Sequence, residues 1–258
     1  MSGHVVFIGA GPGAADLITL RGARALGRAT VVLYDALTDP ALREFAPHAE
    51  WVDVGKRGFA ASTAQDRINA LLVQHALAGV HVARLKGGDP SVFGRLEEEI
   101  QALVAAGIAF EVVPGVTSAL AAAAAAGRPL TRRGNGRSVS LTTAMTQERE
   151  LEAGRRADTE VFYMAGRQLA MLSRRLMEAG WPGDTPALVV SRAGCADQLA
   201  SSHDVAGLPA AVVLHAGRPA VVTVGVGAAA ITPGPAATAC AATAHAIEGH
   251  QAETGVRP

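Results

Sequence analysis

Cysteine is nearly absent from this chain: its 258 residues carry two, Cys195 and Cys240. Two thiols cannot supply the disulfide framework of a small secreted domain, and without a CxxC pair they cannot build a zinc ribbon, so a reducing compartment is expected. Aromatic residues make up only 4%. The apolar fraction of 49% is carried by Ala, Val and Leu, a mixture that suits helices packed on parallel strands rather than an aromatic-rich sandwich. Net charge is missing too, with 23 Lys and Arg against 23 Asp and Glu. No long-range field therefore favours nucleic acid or an anionic membrane, and any polyanion must be met by a local patch. No stretch approaches the roughly 18 uninterrupted apolar residues of a membrane helix. The start, Met1 to His4 before a short apolar run, has neither the basic nor the apolar region of an export signal. These absences predict a cytoplasmic protein without membrane or nucleic-acid partners. The eight histidines lie scattered without ligand spacing, so no metal site is assigned.

What is present is a repeating order of buried strands and amphipathic helices. HVVFIG (4–9) is an apolar run that ends in glycine and leads through AGPGAAD into a helix carrying Leu17, Leu20, Ala23 and Leu26. Strands follow at 30–35, 50–55, 80–88 and 109–113, with helices over 63–79 and 94–106 between them. Such alternation predicts an α/β fold with a parallel, doubly wound sheet and ligands at the carboxyl ends of its strands. Residues 114–134 read as one more helix and an Arg- and Gly-rich loop. The pattern then restarts, with strands at 138–143, 160–166, 185–191 and 219–225 and helices at 168–179 and 206–216. The expected division is an N-terminal α/β domain at 1–115, a hinge at 116–137, a C-terminal α/β domain at 138–231 and a disordered, Ala-rich tail at 232–258.

The glycine loop Gly9 to Ala14 stands between a strand and a helix, and Asp35 closes the second strand. Alone, this pair suggests a nicotinamide-binding oxidoreductase. Two details oppose it: Pro12 removes an N–H from the loop that would cradle a pyrophosphate, and Ala14 occupies the third glycine position. The glycines then serve either a tight turn or a different ligand.

Further strings occur in order: VVFIGAGPGAADLITLRGARAL (5–26), VVLYDALT (31–38), VGKRG (54–58), INALLV (68–73), VARLKGGDPSVFGR (82–95), AGIAFEVVPGVTSA (106–119), GRPLTRRG (127–134), VFYMAG (161–166) and the pair Gly194 and Gln198. In this series, covering roughly residues 4–226, the chain resembles the tetrapyrrole methylase family. The resemblance implies two α/β domains with the ligand cleft between them, a homodimer, and an enzyme that uses S-adenosyl-L-methionine (SAM) and releases S-adenosyl-L-homocysteine. It implies carbon methylation of uroporphyrinogen III at C2 and C7 to give precorrin-2, for sirohaem or cobalamin synthesis.

By the same resemblance, SAM contacts fall on Pro12, Gly87, Gly88, Asp89, Val92, Thr117, Ser118, Met164 and Gly194, with Asp35 as proton acceptor and Lys56 as proton donor. Consecutive glycines let a flat ligand approach the backbone, and both Asp35 and Lys56 follow strands whose ends should face the ligand crevice. A polycarboxylate substrate requires clustered cations in a neutral protein. Arg57, Arg95, Arg132, Arg133 and Arg137 lie beside these motifs, and guanidinium forks match carboxylates. The chain departs from the family pattern at Leu96 and Glu97, where two glycines are usual, and at Arg132, where histidine is usual. A later corrin precursor, or a weakly active paralogue, is therefore the alternative within the family. No further module precedes the first glycine loop, so a fused sirohaem synthase is not expected.

Overall fold

The computed structural model describes residues 3–55, 63–144 and 157–232. Lys56, Arg57, Cys240 and nearly all of the expected tail lie outside them.

The first sheet is wholly parallel. Strands β1 (His4–Gly9), β2 (Val31–Tyr34), β3 (Glu50–Asp53), β4 (His81–Lys86) and β5 (Phe110–Val113) stand in the order β3-β2-β4-β1-β5. Alternation along each strand sorts the apolar side chains onto two faces. Val5, Phe7, Val31, Leu33 and Val82 pack against helix α2 (Thr63–Leu77) and helix α3 (Leu96–Ala105). Ile8, Val32, Ala83 and Leu85 pack on the other side with helix α1 (Leu20–Leu26). Thr19 caps α1 by accepting the Gly22 N–H at 3.1 Å, and Gly22 lies against Ile8, where an added Cβ would stand 3.0 Å from its methyl. Helix and strand approach closely there because the side chain is missing.

Helix α4 (Ser118–Ala125) is almost entirely alanine. Its small side chains Ala119, Ala121 and Ala122 pack on Val161, Tyr163, Leu188, Val190 and Val221 of the second sheet. That sheet has the order β6-β7-β10-β8-β9, formed by β6 (Val139–Thr143), β7 (Thr159–Tyr163), β8 (Pro186–Ser191), β9 (Leu199–Asp204) and β10 (Ala220–Gly225). Helix α5 (Leu169–Glu178) and the short α6 (Ala211–His215) cover its other face through Leu169, Leu172, Leu176 and Ala211.

Two features differ from the sequence expectation. The second sheet is mixed: only β6 and β7 run parallel, while β10 opposes both neighbours and β8 opposes β9. Residues 192–198, which join β8 to β9, are too few for the crossover a parallel pair demands. Strand β9 itself, LASSHD, was not expected, because an edge strand with mostly polar side chains carries no apolar run.

Leu72 of α2 is fully buried in the first core. Leu72→Ala should lower unfolding free energy by ~2–5 kcal/mol, seen as a reduced denaturant midpoint with an unchanged m-value.

Candidate active site

The site begins where three strand ends touch through backbone alone. Gly9 ends β1, Gly88 follows β4 and Gly115 follows β5. A Cβ on Gly115 would fall 2.3 Å from the Gly88 carbonyl oxygen and 2.7 Å from Gly9 Cα, and one on Gly9 would fall 2.5 Å from Gly115 Cα. Gly11 and Gly88 exchange two backbone hydrogen bonds, of 3.2 and 2.7 Å, with φ of 80° and 71°. Asp89 ties the same region: Oδ1 accepts the Ser91 N–H and Oδ2 the Gly115 N–H, both at 2.8 Å. The loop also reaches the second sheet, since the Ala14 N–H donates to the Gly194 carbonyl at 2.9 Å.

This use of the glycine loop removes the dinucleotide reading. The Gly11 and Ala14 N–H groups, which a pyrophosphate would need, already donate to backbone carbonyls. Asp35, where a ribose-binding acid would stand, accepts from Arg84 Nη2 at 2.7 Å.

Below the glycines lies a buried set of charges. Arg84 and Lys86 sit two residues apart on β4, so both point to the face that carries α2 and α3. Both are 2% exposed, and Glu99 in the first turn of α3 is fully buried. Lys86 Nζ donates to Glu99 Oε1 at 2.8 Å, and Gln65 Nε2 reaches the same oxygen at 3.3 Å. Burial, followed by the neighbouring Arg84 cation, pushes the Lys86 pKa down against the pull of Glu99. For Arg84, burial also opposes the charge, but Asp35 and Glu99 outweigh it and the pKa rises.

The opposite wall comes from the second sheet. Tyr163 at the end of β7 shares a 2.8 Å hydrogen bond with Thr117 Oγ1 and meets Phe93 edge-on at 4.9 Å. Burial raises the Tyr163 pKa despite that hydrogen bond. Among the described residues, four non-glycine ones have left-handed backbone, Phe93, Arg95, Met164 and Arg192. All four line one cavity of about 590 Å³, and strain of this kind, about 1–3 kcal/mol per residue, gathers at functional sites.

The cavity brings together Pro12, Asp35, Gly87, Gly88, Asp89, Val92, Arg95, Thr117, Ser118 and Met164 from the residues singled out in the sequence. Gly194 sits beside the lining residues Arg192 and Ala193 and acts through its carbonyl on Ala14. Arg132, Arg133 and Arg137 instead line a separate open depression of about 600 Å³ with Thr131, Gly134 and Gly136. Arg95 lines the cavity while holding Glu98 through two hydrogen bonds of 2.7 and 2.6 Å. Sequence reasoning missed Gln65, Arg84, Lys86, Glu99, Tyr163 and Arg192, all of which line the cavity. For Arg84 and Lys86 a signal existed: two cations at period two in a central strand, alternating with Ala83 and Leu85 after Val82, need buried counter-charges.

A parallel sheet whose strand ends form one wall of a glycine-lined cavity, closed by a second sheet, is the architecture of an α/β enzyme acting on small molecules. The family model of the Tetrapyrrole (Corrin/Porphyrin) Methylases matches residues 4–209. The chain belongs to this family. It is 45% identical over 202 residues to a uroporphyrinogen-III C-methyltransferase of Pseudomonas aeruginosa, covering 77% of this chain and 82% of that protein. A siroheme synthase of Gluconacetobacter diazotrophicus is 44% identical over 231 residues, 86% of this chain. The chain spans about half (49%) of that synthase's length. The crystal structure of uroporphyrin-III C-methyl transferase from Thermus thermophilus complexed with S-adenyl homocysteine superposes with a TM-score of 0.76 at 36% identity, covering 86% of this chain and 97% of that one.

Gly115→Ala should force the three strand ends apart and cost ~1–3 kcal/mol, the usual range for overpacking. Gly87→Ala, whose Cβ would meet only Leu37 at 3.6 Å, should unfold within ~0.5 kcal/mol of the parent. Thermal denaturation of the two variants side by side checks this contrast.

Proposed function

We propose that this protein transfers the methyl group of S-adenosylmethionine to carbon atoms of uroporphyrinogen III, at C2 and then C7, giving precorrin-2. The observation that carries the reading is the cavity itself. It gathers Pro12, Gly87 to Asp89, Thr117, Ser118, Met164 and Asp35 around one space, in a chain of the methylase family.

The residues present fit the methyl donor. An added Cβ on Gly87 would find only Leu37 within 4 Å, so a flat ligand has access to the backbone there. Val92, Phe93, Val190 and Ala193 give part of the lining an apolar character suited to a flat ligand. Thr117, Ser118 and backbone groups of Gly87 to Asp89 would hold the polar parts of the ligand. When bound, S-adenosylmethionine supplies a methyl group already activated by the sulfonium charge.

The chain's own contribution is then position and proton transfer. Asp35, one-third exposed and anchored by Arg84, would accept the proton that the methylated pyrrole releases. Lys56 would return a proton to the product. Arg95, with Arg57 and the open group Arg132, Arg133 and Arg137, would hold substrate carboxylates by guanidinium forks. The two α/β domains, 1–115 and 138–231 joined through 116–137, would close around both ligands, each providing one sheet. A homodimer working in the cytoplasm completes the reading and rests on the family resemblance.

Anaerobic incubation with S-adenosylmethionine and uroporphyrinogen III should give a product heavier by two methyl groups, and a product mass that does not change would overturn the assignment. Asp35→Asn should lower kcat ~10²–10⁴-fold, the range for loss of a general base, while S-adenosylhomocysteine still binds by calorimetry. Arg133→Ala should raise the tetrapyrrole KM and leave S-adenosylhomocysteine affinity as it was.

A further inference from the structure

Fully buried ion pairs are poor stabilisers, because desolvation of both charges offsets their attraction and an apolar replacement is often as stable. The floor of the cavity nevertheless holds two cations, Arg84 and Lys86, beside two carboxylates, Asp35 and Glu99. Three of these side chains are at most 2% exposed, and Asp35 alone is open, at 33%. The geometry has a direction. Glu99 Oε2 accepts Arg84 Nε at 3.1 Å, Glu99 Oε1 accepts Arg84 Nη2 at 3.1 Å and Lys86 Nζ at 2.8 Å, and Arg84 Nη1 donates to the Leu85 carbonyl at 3.2 Å. A planar guanidinium held along one edge and at its far nitrogen cannot rotate. Its remaining reach is Nη2 to Asp35 Oδ1, at 2.7 Å.

We propose that Arg84, locked in plane by Glu99, is a positioning residue for Asp35, holding its carboxylate at the angle the proton transfer requires. This deepens the reading of Asp35 as proton acceptor and rests on it. Arg84 acts through Asp35 and Glu99 acts through Arg84, so neither must touch the substrate. Lys86 completes the charge balance around Glu99, whose Oε1 it meets at 2.8 Å.

The distinguishing measurement is a double-mutant cycle on kcat, read by single-turnover product mass. Arg84→Met should lower kcat ~10–100-fold, the scale of a misplacement near 1 Å, with the KM for S-adenosylmethionine and the S-adenosylhomocysteine dissociation constant within ~2-fold of the parent. In the Asp35→Asn background the same substitution should cost less than ~2-fold more, because groups that act as a unit are not additive. Equal cost in both backgrounds, or no cost in either, would overturn the proposal. If Arg84→Met fails to fold, as shown by loss of S-adenosylhomocysteine binding, Glu99→Gln carries the same cycle with nearly unchanged shape and the same expected non-additivity. Full turnover in Asp35→Asn alone would instead remove the catalytic reading of Asp35, a separate failure.

Discussion

The structure depends on backbone meeting backbone at the carboxyl ends of β1, β4 and β5. Gly9 and Gly115 approach each other and the Gly88 carbonyl so closely that a single methyl on either would meet main-chain atoms at 2.3–2.8 Å. That contact converts three separate strand ends into one surface, and the Gly11 and Gly88 bridge fixes its tilt. The first-sheet side of the cavity is hung from it: the Asp89 staple to Gly115, the Gly87 and Gly88 wall, and the Ala14 link to Gly194. A glycine-rich loop that resembles a phosphate cradle in sequence thus has a different physical use. Its N–H groups are consumed internally, and what it offers a ligand is the absence of side chains.

Much of this was open to sequence reasoning, for identifiable reasons. β1 is an apolar run ending in glycine and β4 is followed at once by a glycine pair, so strand, turn and site location follow from hydropathy and from the rule that α/β ligands lie at carboxyl strand ends. Asp35 and the GGD string stand at those ends, and the roles expected of them follow from the family resemblance. The missed elements lack such a mark. β9 carries polar side chains on an exposed edge, and the antiparallel placement of β10 is set by chain connections that no periodicity encodes. Tyr163 and Arg192 enter the cavity because their strands face the first sheet, a tertiary fact.

The arginine cluster shows where proximity in sequence stops being informative. Arg132, Arg133 and Arg137 follow the same motif region as the cavity residues, yet they line their own open depression around Gly134 and Gly136, where Arg132 and Gly136 pair as a small bridge. Arg95, by contrast, sits in the cavity on a left-handed backbone and already engages Glu98. These arginines are therefore divided between the cavity and a separate open depression.

The left-handed residues fit the same logic. Phe93, Arg95, Met164 and Arg192 come from both halves of the chain, and none is a glycine that would adopt this backbone freely. If left-handed backbone were a by-product of tight turns, these residues would scatter over the surface, as Gly79, Gly107, Gly127 and Gly180 do at helix ends. Instead all four face one cavity, opposite a floor of buried charges that stability alone does not justify. Strain in the lining and desolvated charge at the floor are both unfavourable to folding, and their convergence on a single space is the strongest physical indication that the space was shaped for chemistry rather than left by packing.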